Sequence, residues 1–339
     1  MGRQIVLDHI KGREAAALLV DGALDDFLID ADAPRPGTVY RAIADRPVKG
    51  QGGMFLKTPD GSAFLRQVKG LSPGQALLVQ VTGYAEPGKA IPVTQKILFK
   101  SRYAIITPGA PGLNISRAIK DDAERDRLLE LAHETFVDQN AGLILRSCCL
   151  DAPEDEIADD ILAMHNLAQS VLTDRGTGME VLCQGDGPHV MAWREWTEAA
   201  QIHTDAGAFE DVGVMDHLEQ LRGAQVSLGG GASMFVENTR ALVAVDVNTG
   251  RDTSLAAGLK ANIACAQMLP RALRLRGLGG QIVVDLAPAP KKDRRQIETA
   301  MRQAFKRDDV ETSVVGWTPL GHLELQRKRA RSPTQEYLP

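Results

Sequence analysis

The chain has 339 residues, 44% of them apolar, which is enough to bury more than one hydrophobic core. Its formal net charge is −5, from 39 Lys and Arg against 44 Asp and Glu, so the molecule as a whole does not attract a polyanion. No apolar run reaches the length of a membrane span, and the N-terminus lacks the apolar core of a secretory signal. We therefore expect a cytoplasmic protein with no membrane partner.

The cysteines and histidines predict no metal centre. Cys148, Cys149, Cys183 and Cys265 form no Cys-x-x-Cys pair, so we expect reduced thiols and no zinc site. The seven histidines include no i, i+4 pair, and none is expected to be a ligand or a member of a catalytic triad.

Charge is distributed unevenly along the chain. Residues 121–220 contain 23 acidic and 5 basic side chains, whereas the stretch from residue 271 onward is rich in Lys and Arg. Because a nucleic acid responds to the local electric field, this basic stretch suits an RNA partner. The alternative for residues 291–307 is a solvated helix face.

The N-terminal third consists of short apolar segments. Residues 5–7 and 27–29 are typical of strands, and residues 15–19 between them look helix-like. The proline and glycine density over residues 33–37 marks a boundary. Beyond it, turns separate short strands that together predict a small barrel of the oligonucleotide-binding type. These strands are 38–44, 53–57, 62–66, 76–82 and 91–98.

Two apolar runs near the C-terminal end each carry an aspartate. Residues 241–250 contain Asp246 and Asn248, and the second run ends at Asp285. The helical stripe over residues 254–275 predicts a crossover between two parallel strands, which would bring both carboxylates to one sheet edge. Two acids and an amide there could hold Mg²⁺. The alternative is that both aspartates only cap the loops after their strands. Upstream, three glycines at 229–231 predict a tight turn before a strand at 233–236; no phosphate-binding loop motif follows them.

These segments resemble the nuclease core of the ribonuclease E/G family. The family has an Asp-x-Asn-Ser/Thr motif on one strand and an Arg-x-Leu-Gly-Gly-x-Ile-Val-x-Asp motif on another. Its two aspartates hold a catalytic Mg²⁺, and its asparagine orients the first of them. The resemblance implies that Asp246 and Asp285 bind Mg²⁺ and that Asn248 orients Asp246. It also places Arg276 near the scissile phosphate, although an arginine at a helix C-terminus is also favoured by the helix dipole.

RNA-binding residues follow from the same resemblance. The family's barrel clamps single-stranded RNA with two aromatics and a lysine, which match Phe55, Phe64 and Lys89. The alternative for either phenylalanine is core packing. Lys291 and Lys292, which come just after the second strand, are expected to line the RNA path.

A third matching region is the family's sensor for an RNA 5′-monophosphate. Arg146 and Ser147 match its Arg-Thr pair, and Ile105 matches a valine. An arginine can donate two parallel hydrogen bonds to phosphate oxygens. Ser101 stands where the family has a glycine, and this added side chain is expected to crowd the pocket. The alternative is that Arg146 forms an ordinary ion pair with the acidic helix at 154–160.

The resemblance implies an α/β protein of several subdomains. The expected parts are an N-terminal fragment of a ribonuclease-H-like subdomain (1–36), an inserted OB-type RNA-binding barrel (37–98), a 5′-sensor-like α/β unit (99–185), the remainder of a truncated ribonuclease-H-like subdomain (186–222) and a DNase-I-like catalytic subdomain (223–339).

The expected function is Mg²⁺-dependent endonucleolytic cleavage of single-stranded RNA in RNA processing or decay, with stimulation by a 5′-monophosphate. Two alternatives remain: a non-catalytic RNA-binding relative, and an unrelated metal-dependent phosphoesterase. Larger family members join two subunits through a C-terminal Cys-Pro-x-Cys that shares zinc, and residues 335–339 do not contain it. A zinc-linked tetramer is therefore not expected, whereas a homodimer through the nuclease subdomain stays open.

Overall fold

A computed structural model describes residues 2–48, 52–68, 70–252 and 254–338. Single residues within the predicted barrel, the predicted nuclease subdomain and the C-terminal segment 335–339 therefore lie outside the described part. The chain forms two compact units. We call Met1–Ala31 with Ala200–Pro339 the terminal unit and Asp32–Ala199 the inserted unit. No helix among the described residues combines the length and the apolar character needed to cross a membrane.

Strands make up much of both units. The described strands are β1 (Arg3–Ile10), β2 (Arg13–Val20), β3 (Ala23–Ile29), β4 (Val39–Val48), β5 (Gly53–Thr58), β6 (Gly61–Leu65), β7 (Ala76–Val81), β8 (Ile91–Thr94), β9 (Phe99–Lys100), β10 (Ala104–Pro108), β11 (Gly112–Ile115), β12 (Ala141–Leu145), β13 (Glu180–Cys183), β14 (Gln201–His203), β15 (Gln225–Gly229), β16 (Ala232–Asn238), β17 (Val243–Asn248), β18 (Gly280–Asp285), β19 (Thr312–Trp317) and β20 (Leu323–Arg327).

The helices pack on these sheets. They are α1 (Asp122–Thr135), α2 (Glu154–Leu172), α3 (Pro188–Glu195), α4 (Ala208–Asp211), α5 (Val214–Gln220), α6 (Leu255–Leu275) and α7 (Arg294–Lys306). Short 3₁₀ turns lie at Ser147–Cys149, Lys291–Asp293 and Thr334–Glu336. The chain is therefore a mixed α/β protein, and the subdomain names that the resemblance supplies stay predictions.

The terminal unit contains two sheets. In the first, of order β14-β1-β2-β3, the strands β1 to β3 form an antiparallel meander and β14 runs parallel to β1. The helix-like prediction for residues 15–19 is wrong, because they form the middle of β2 and pair with a strand on each side. Their side chains are all buried, and a short, continuously apolar run cannot by itself distinguish a buried strand from a buried helix.

The second sheet of the terminal unit has the order β15-β16-β17-β18-β20-β19. β17 and β18 are parallel neighbours, and α6 joins them as the pattern predicts. Ser254 caps α6 by accepting a hydrogen bond from the main-chain N–H of Ala257 at 3.2 Å. The buried side of the sheet packs on α6 and α7 around Val245, Val284 and Leu269.

The three glycines before β16 also behave as predicted. Gly229, Gly230 and Gly231 all have positive φ, between 62° and 85°, which is costly for residues with a Cβ. They turn the chain from β15 into its antiparallel neighbour β16.

The inserted unit contains the predicted barrel. Strands β4, β5, β6, β8 and β7 pair in that order, and β7 pairs again with β4 to close the ring. Each of the five predicted strands is present, but the last ends at Thr94 and not at residue 98, and β13 adds to β4 outside the ring. The other sheet of this unit, of order β11-β12-β10-β9, packs against α1 and α2.

Candidate active site

The two predicted carboxylates lie side by side on neighbouring strands. Asp246 of β17 and Asp285 of β18 are paired in the parallel register, so they occupy the same row of the sheet. Neighbouring strands are about 4.8 Å apart, a spacing at which two carboxylates can reach one cation. Both side chains are exposed, whereas the preceding valines point into the core. The prediction that both strands present an aspartate at one edge is confirmed.

Each carboxylate has a polar neighbour. Asn248 lies two residues after Asp246 on the same face of β17, and its Nδ2 donates a hydrogen bond to Asp246 Oδ2 at 2.7 Å. This bond fixes the carboxylate and leaves its Oδ1 for another ligand. His322 precedes β20, and its Nε2 lies 3.6 Å from Asp285 Oδ1. No role was predicted for His322, because it reaches Asp285 through the pairing of β20 with β18 and not through helical spacing.

The donor set suits a hard cation with a water shell. Among the described residues, no group of three or more His, Cys, Asp or Glu side chains is placed to hold a metal. Mg²⁺ is commonly held by one or two carboxylates with water in its other positions, whereas catalytic zinc normally needs three protein ligands. Two exposed carboxylates in one row therefore fit Mg²⁺ better than zinc.

The loop after Asp285 is held in place by a buried amide that the sequence analysis missed. Asn262 of α6 is fully buried; its Nδ2 donates to the carbonyl of Ala287, and its Oδ1 accepts from the Ala287 N–H, both at 2.9 Å. Close to this contact, a Cβ at Gly258 would overlap the carbonyl oxygen of Pro288. Helix α6 therefore fixes the course of the chain directly after the second carboxylate.

Basic side chains follow this loop. Lys291 and Lys292 lie in a 3₁₀ turn between β18 and α7, and both are exposed. Arg294 begins α7 and stacks on Trp317, with its guanidinium carbon 4.6 Å from the ring centroid. The position of the two lysines after the carboxyl end of β18 agrees with the expected RNA path.

The structure does not bring Arg276 to the carboxylates. Arg276 lies at the C-terminus of α6, before β18 begins, whereas Asp285 lies at the far end of that strand. At about 3.3 Å per residue, β18 alone separates its two ends by about 16 Å. The Arg276 side chain is buried, and it donates to the carbonyl oxygens of Gly223 at 3.0 Å and Ala272 at 3.3 Å. Arg276 therefore does not lie at the position expected near a scissile phosphate. Its observed contacts are structural ones, to main-chain carbonyl oxygens.

The barrel presents the two expected aromatics on its outer surface. Phe55 of β5 and Phe64 of β6 are paired directly across the strands, and their ring centroids are 5.3 Å apart. Both are half-buried, whereas their strand neighbours point into the barrel core, so the core-packing alternative does not apply. Arg46 stacks on Phe55 at 5.0 Å, and Lys89 is exposed on the loop before β8, where it pairs with Glu86.

The sensor-like region is more crowded than expected. The guanidinium of Arg146 donates to the carbonyl oxygens of Ser101 at 2.7 Å, Arg102 at 3.2 Å and Arg194 at 3.0 Å, and to the Glu195 carboxylate at 2.5 Å. The alternative for Arg146, an ion pair with the acidic helix at 154–160, is therefore not its contact, since its carboxylate partner is Glu195.

The other residues matched to the sensor lie in different environments. The Ser101 hydroxyl donates to Asp160 at 2.5 Å, which directs this added side chain toward α2. Ser147 is exposed at the start of its 3₁₀ turn. Ile105 is half-buried on β10, opposite Ile144 of β12.

Comparison with known proteins adds a family match. The model of the ribonuclease E/G family matches residues 99–199 and 189–330. Ribonuclease G of Salmonella typhimurium is 25% identical over 406 positions, and Ribonuclease G of Escherichia coli (strain K12) is 26% identical over 408; each match covers 100% of this chain and 82% of the relative. Ribonuclease E of Synechocystis is 25% identical over 392 positions, covering 97% of this chain and 57% of the relative. The first two alignments are longer than the chain, so those relatives contain segments that it lacks.

Proposed function

Because the chain belongs to the ribonuclease E/G family, we propose that it cleaves single-stranded RNA internally, with Mg²⁺ held by Asp246 and Asp285. The observation that carries this proposal is the pairing of two exposed carboxylates in one row of the sheet. An RNA phosphodiester is an anion, so two carboxylates without a cation would repel it. A bound cation would remove this repulsion, so the pair suits a cation site.

The chain's own residues would position the reacting groups. Asp246 and Asp285 would hold the ion between neighbouring strands, and Asn248 would keep Asp246 in one rotamer through its hydrogen bond. Bound Mg²⁺ would polarise the phosphodiester and lower the pKa of the attacking water. Asn262 would keep the chain after Asp285 on a fixed course, which stabilises the direction of that carboxylate.

The barrel and the basic turn would guide the RNA. Phe55 and Phe64 form a half-buried aromatic pair on the outer surface of the barrel, on which unpaired bases can stack. Lys291 and Lys292 would contact phosphates near the carboxylates, since they follow the strand that carries Asp285. Lys89 is the weakest of the expected contacts, because its ammonium group already pairs with Glu86.

Stimulation by a 5′-monophosphate stays a prediction of the resemblance. It requires that Arg146 exchange at least one of its present acceptors for a phosphate oxygen. The RNA would be an intermediate of RNA processing or decay, as the resemblance implies.

Cleavage of a short, AU-rich, 5′-monophosphorylated single-stranded RNA with Mg²⁺ or with EDTA tests the proposal. The wild type is compared with Asp285→Asn, which keeps the shape of the side chain and removes its charge. Asp216→Asn is the matched control, because Asp216 is an exposed carboxylate on α5 of the same unit. We expect internal cleavage by the wild type and the control only in Mg²⁺, and none by Asp285→Asn.

Two other results would favour the alternatives. Tight RNA binding by the wild type without any cleavage would indicate a non-catalytic RNA-binding relative. Absence of both RNA binding and cleavage would instead favour a phosphoesterase that acts on another substrate. Cleavage by Asp285→Asn at the wild-type rate would refute the metal assignment.

A further inference from the structure

A carboxylate of the inserted unit lies among cations from three separate segments. Glu195, the last residue of α3, accepts from Lys100 Nζ at 2.7 Å and from Arg194 Nε at 2.8 Å through its Oε1. Its Oε2 accepts from Arg146 Nη2 at 2.5 Å. Lys100 belongs to β9, and Arg146 directly follows β12, so the sheet and α3 together build this cluster.

The cluster is largely withdrawn from solvent. The exposed fraction of the side chain is 16% for Arg194, 17% for Arg146 and 22% for Glu195, and Lys100 is the most exposed member at 38%. Burial by itself raises the pKa of Glu195, but the Lys100 hydrogen bond and charge, with the charges of Arg194 and Arg146, outweigh it and hold the pKa at about 2. Glu195 is therefore an ionised group in a site built for an anion.

The remaining charges of the cluster leave it net positive. Asp186 also pairs with Arg194, so two carboxylates pair with three cations. The nearby Asp160 is engaged by the Ser101 hydroxyl and by the Tyr103 N–H at 2.8 Å. A phosphate monoester has more acceptor oxygens and more charge than a carboxylate, and would satisfy the same three cations.

We propose that Glu195 is a built-in competitor that fills an anion pocket for the terminal phosphate monoester of RNA, so that the phosphate binds only by displacing this side chain. The inference rests on the proposed function, because it takes RNA as the ligand. The competing group belongs to the chain itself and is always present at high local concentration. Competition by Glu195 therefore weakens the stimulation by a 5′-monophosphate that the resemblance implies, and removal of Glu195 should strengthen it.

Thermal unfolding of the full chain with inorganic phosphate tests the pocket without any cleavage. Glu195→Ala leaves Lys100, Arg146 and Arg194 without their shared carboxylate, so its Tm should fall below that of the wild type. Phosphate should raise the Tm of this variant by several degrees more than NaCl of equal ionic strength, and should leave the wild-type Tm at its NaCl value. Glu195→Gln keeps the size of the side chain and provides a second variant if Glu195→Ala fails to fold.

Asp174→Ala is the matched control. Asp174 pairs at 3.0 Å with Arg41, a buried arginine of the same unit that also contacts Glu180. Asp174→Ala also removes a partly buried ion pair, but Arg41 keeps Glu180 as its second carboxylate partner. Its Tm should fall without a phosphate-specific recovery. Equal effects of phosphate and NaCl on both Glu195 variants would overturn the pocket.

Cleavage rates then test the competition. The ratio of rates on 5′-monophosphate and 5′-hydroxyl RNA of the same sequence should be small for the wild type and should rise by about tenfold in Glu195→Ala, the effect of a gained charge-assisted hydrogen bond. A large ratio already present in the wild type would overturn the role of Glu195. Absence of cleavage in every variant would count against the proposed function alone, since the unfolding assay decides the pocket independently.

Discussion

Replacing Asn248 by alanine removes one hydrogen bond from the proposed metal site and leaves both carboxylates in place. In the structure, Asn248 Nδ2 donates to Asp246 Oδ2 at 2.7 Å, and both side chains are exposed. Hydrogen bonds to charged groups contribute about 1.5–3 kcal/mol, and exposure places this one at the lower end of that range. A loss of about 1.4 kcal/mol corresponds to a tenfold change in a binding constant. We therefore expect the Mg²⁺ concentration for half-maximal cleavage to rise about tenfold, in line with the usual cost of removing a group that orients a metal ligand.

The assay is a Mg²⁺ titration of cleavage of a fluorescent single-stranded RNA, followed for the wild type, Asn248→Ala and Asn238→Ala. Asn238 lies at the end of β16 in the same sheet and is also exposed, so its replacement tests the loss of an amide away from the carboxylates. The free energy of unfolding should fall by no more than about 1.5 kcal/mol in Asn248→Ala, which loses this hydrogen bond, and should change by less than about 0.5 kcal/mol in Asn238→Ala.

The two variants separate orientation from folding. Asn248→Ala should reach a cleavage rate close to that of the wild type when Mg²⁺ is saturating, because the asparagine orients a ligand and does not replace one. An unchanged Mg²⁺ requirement in Asn248→Ala would refute the reasoning, as would an equal increase in Asn238→Ala.

Four further outcomes are expected. Asp246→Asn and Asp285→Asn should each abolish cleavage and retain RNA binding in filter assays, and turnover near the wild-type rate would exclude the metal site. Phe55→Ala should weaken RNA binding by the stacking of one base, about 1–3 kcal/mol, measured by fluorescence anisotropy; an unchanged Kd would leave the aromatic pair without a role. Arg276→Met should lower the free energy of unfolding by about 1–3 kcal/mol through two lost hydrogen bonds and leave the cleavage rate unchanged, whereas a large fall in rate would return this arginine to the active site. Glu195 has its pKa lowered to about 2, so the stability it contributes is present above its unfolded pKa of 4.5 and is lost as the pH falls toward 2; the Tm difference between the wild type and Glu195→Gln should shrink over that range.

The elements that the sequence predicted well are those set by local pattern. The barrel strands alternate between inward and outward residues and are separated by turn residues, so their positions follow from local pattern even where their ends differ. The crossover unit is specified by two apolar runs and a helical stripe, which require parallel neighbours and bring Asp246 and Asp285 together. The helix-like prediction for residues 15–19 is wrong because a strand that is buried on both faces shows no alternation of apolar and polar residues.

Contacts between segments that are far apart in the sequence are not indicated by local residue patterns. Glu195 meets Arg146 across 49 residues of chain, and the matching motif identified the arginine without its partner. His322 reaches Asp285 because β20 pairs with β18. The spacing of residues in the sequence does not indicate which strands pair. A motif thus gives the identity of a side chain, whereas its acceptors depend on the elements that fold around it.

The position of Arg276 was, by contrast, within reach of the sequence. The crossover that places two aspartates at the carboxyl ends of β17 and β18 requires α6 to run back along the sheet. Any residue between the end of α6 and the start of β18 must then lie at the opposite edge, away from the carboxylates. The topology that predicts the metal pair therefore excludes Arg276 from it, and the burial of this side chain against Gly223 and Ala272 carbonyls agrees. Under the proposed function, Lys291 and Lys292, which are exposed after Asp285, are the candidates for a charge that stabilises the scissile phosphate.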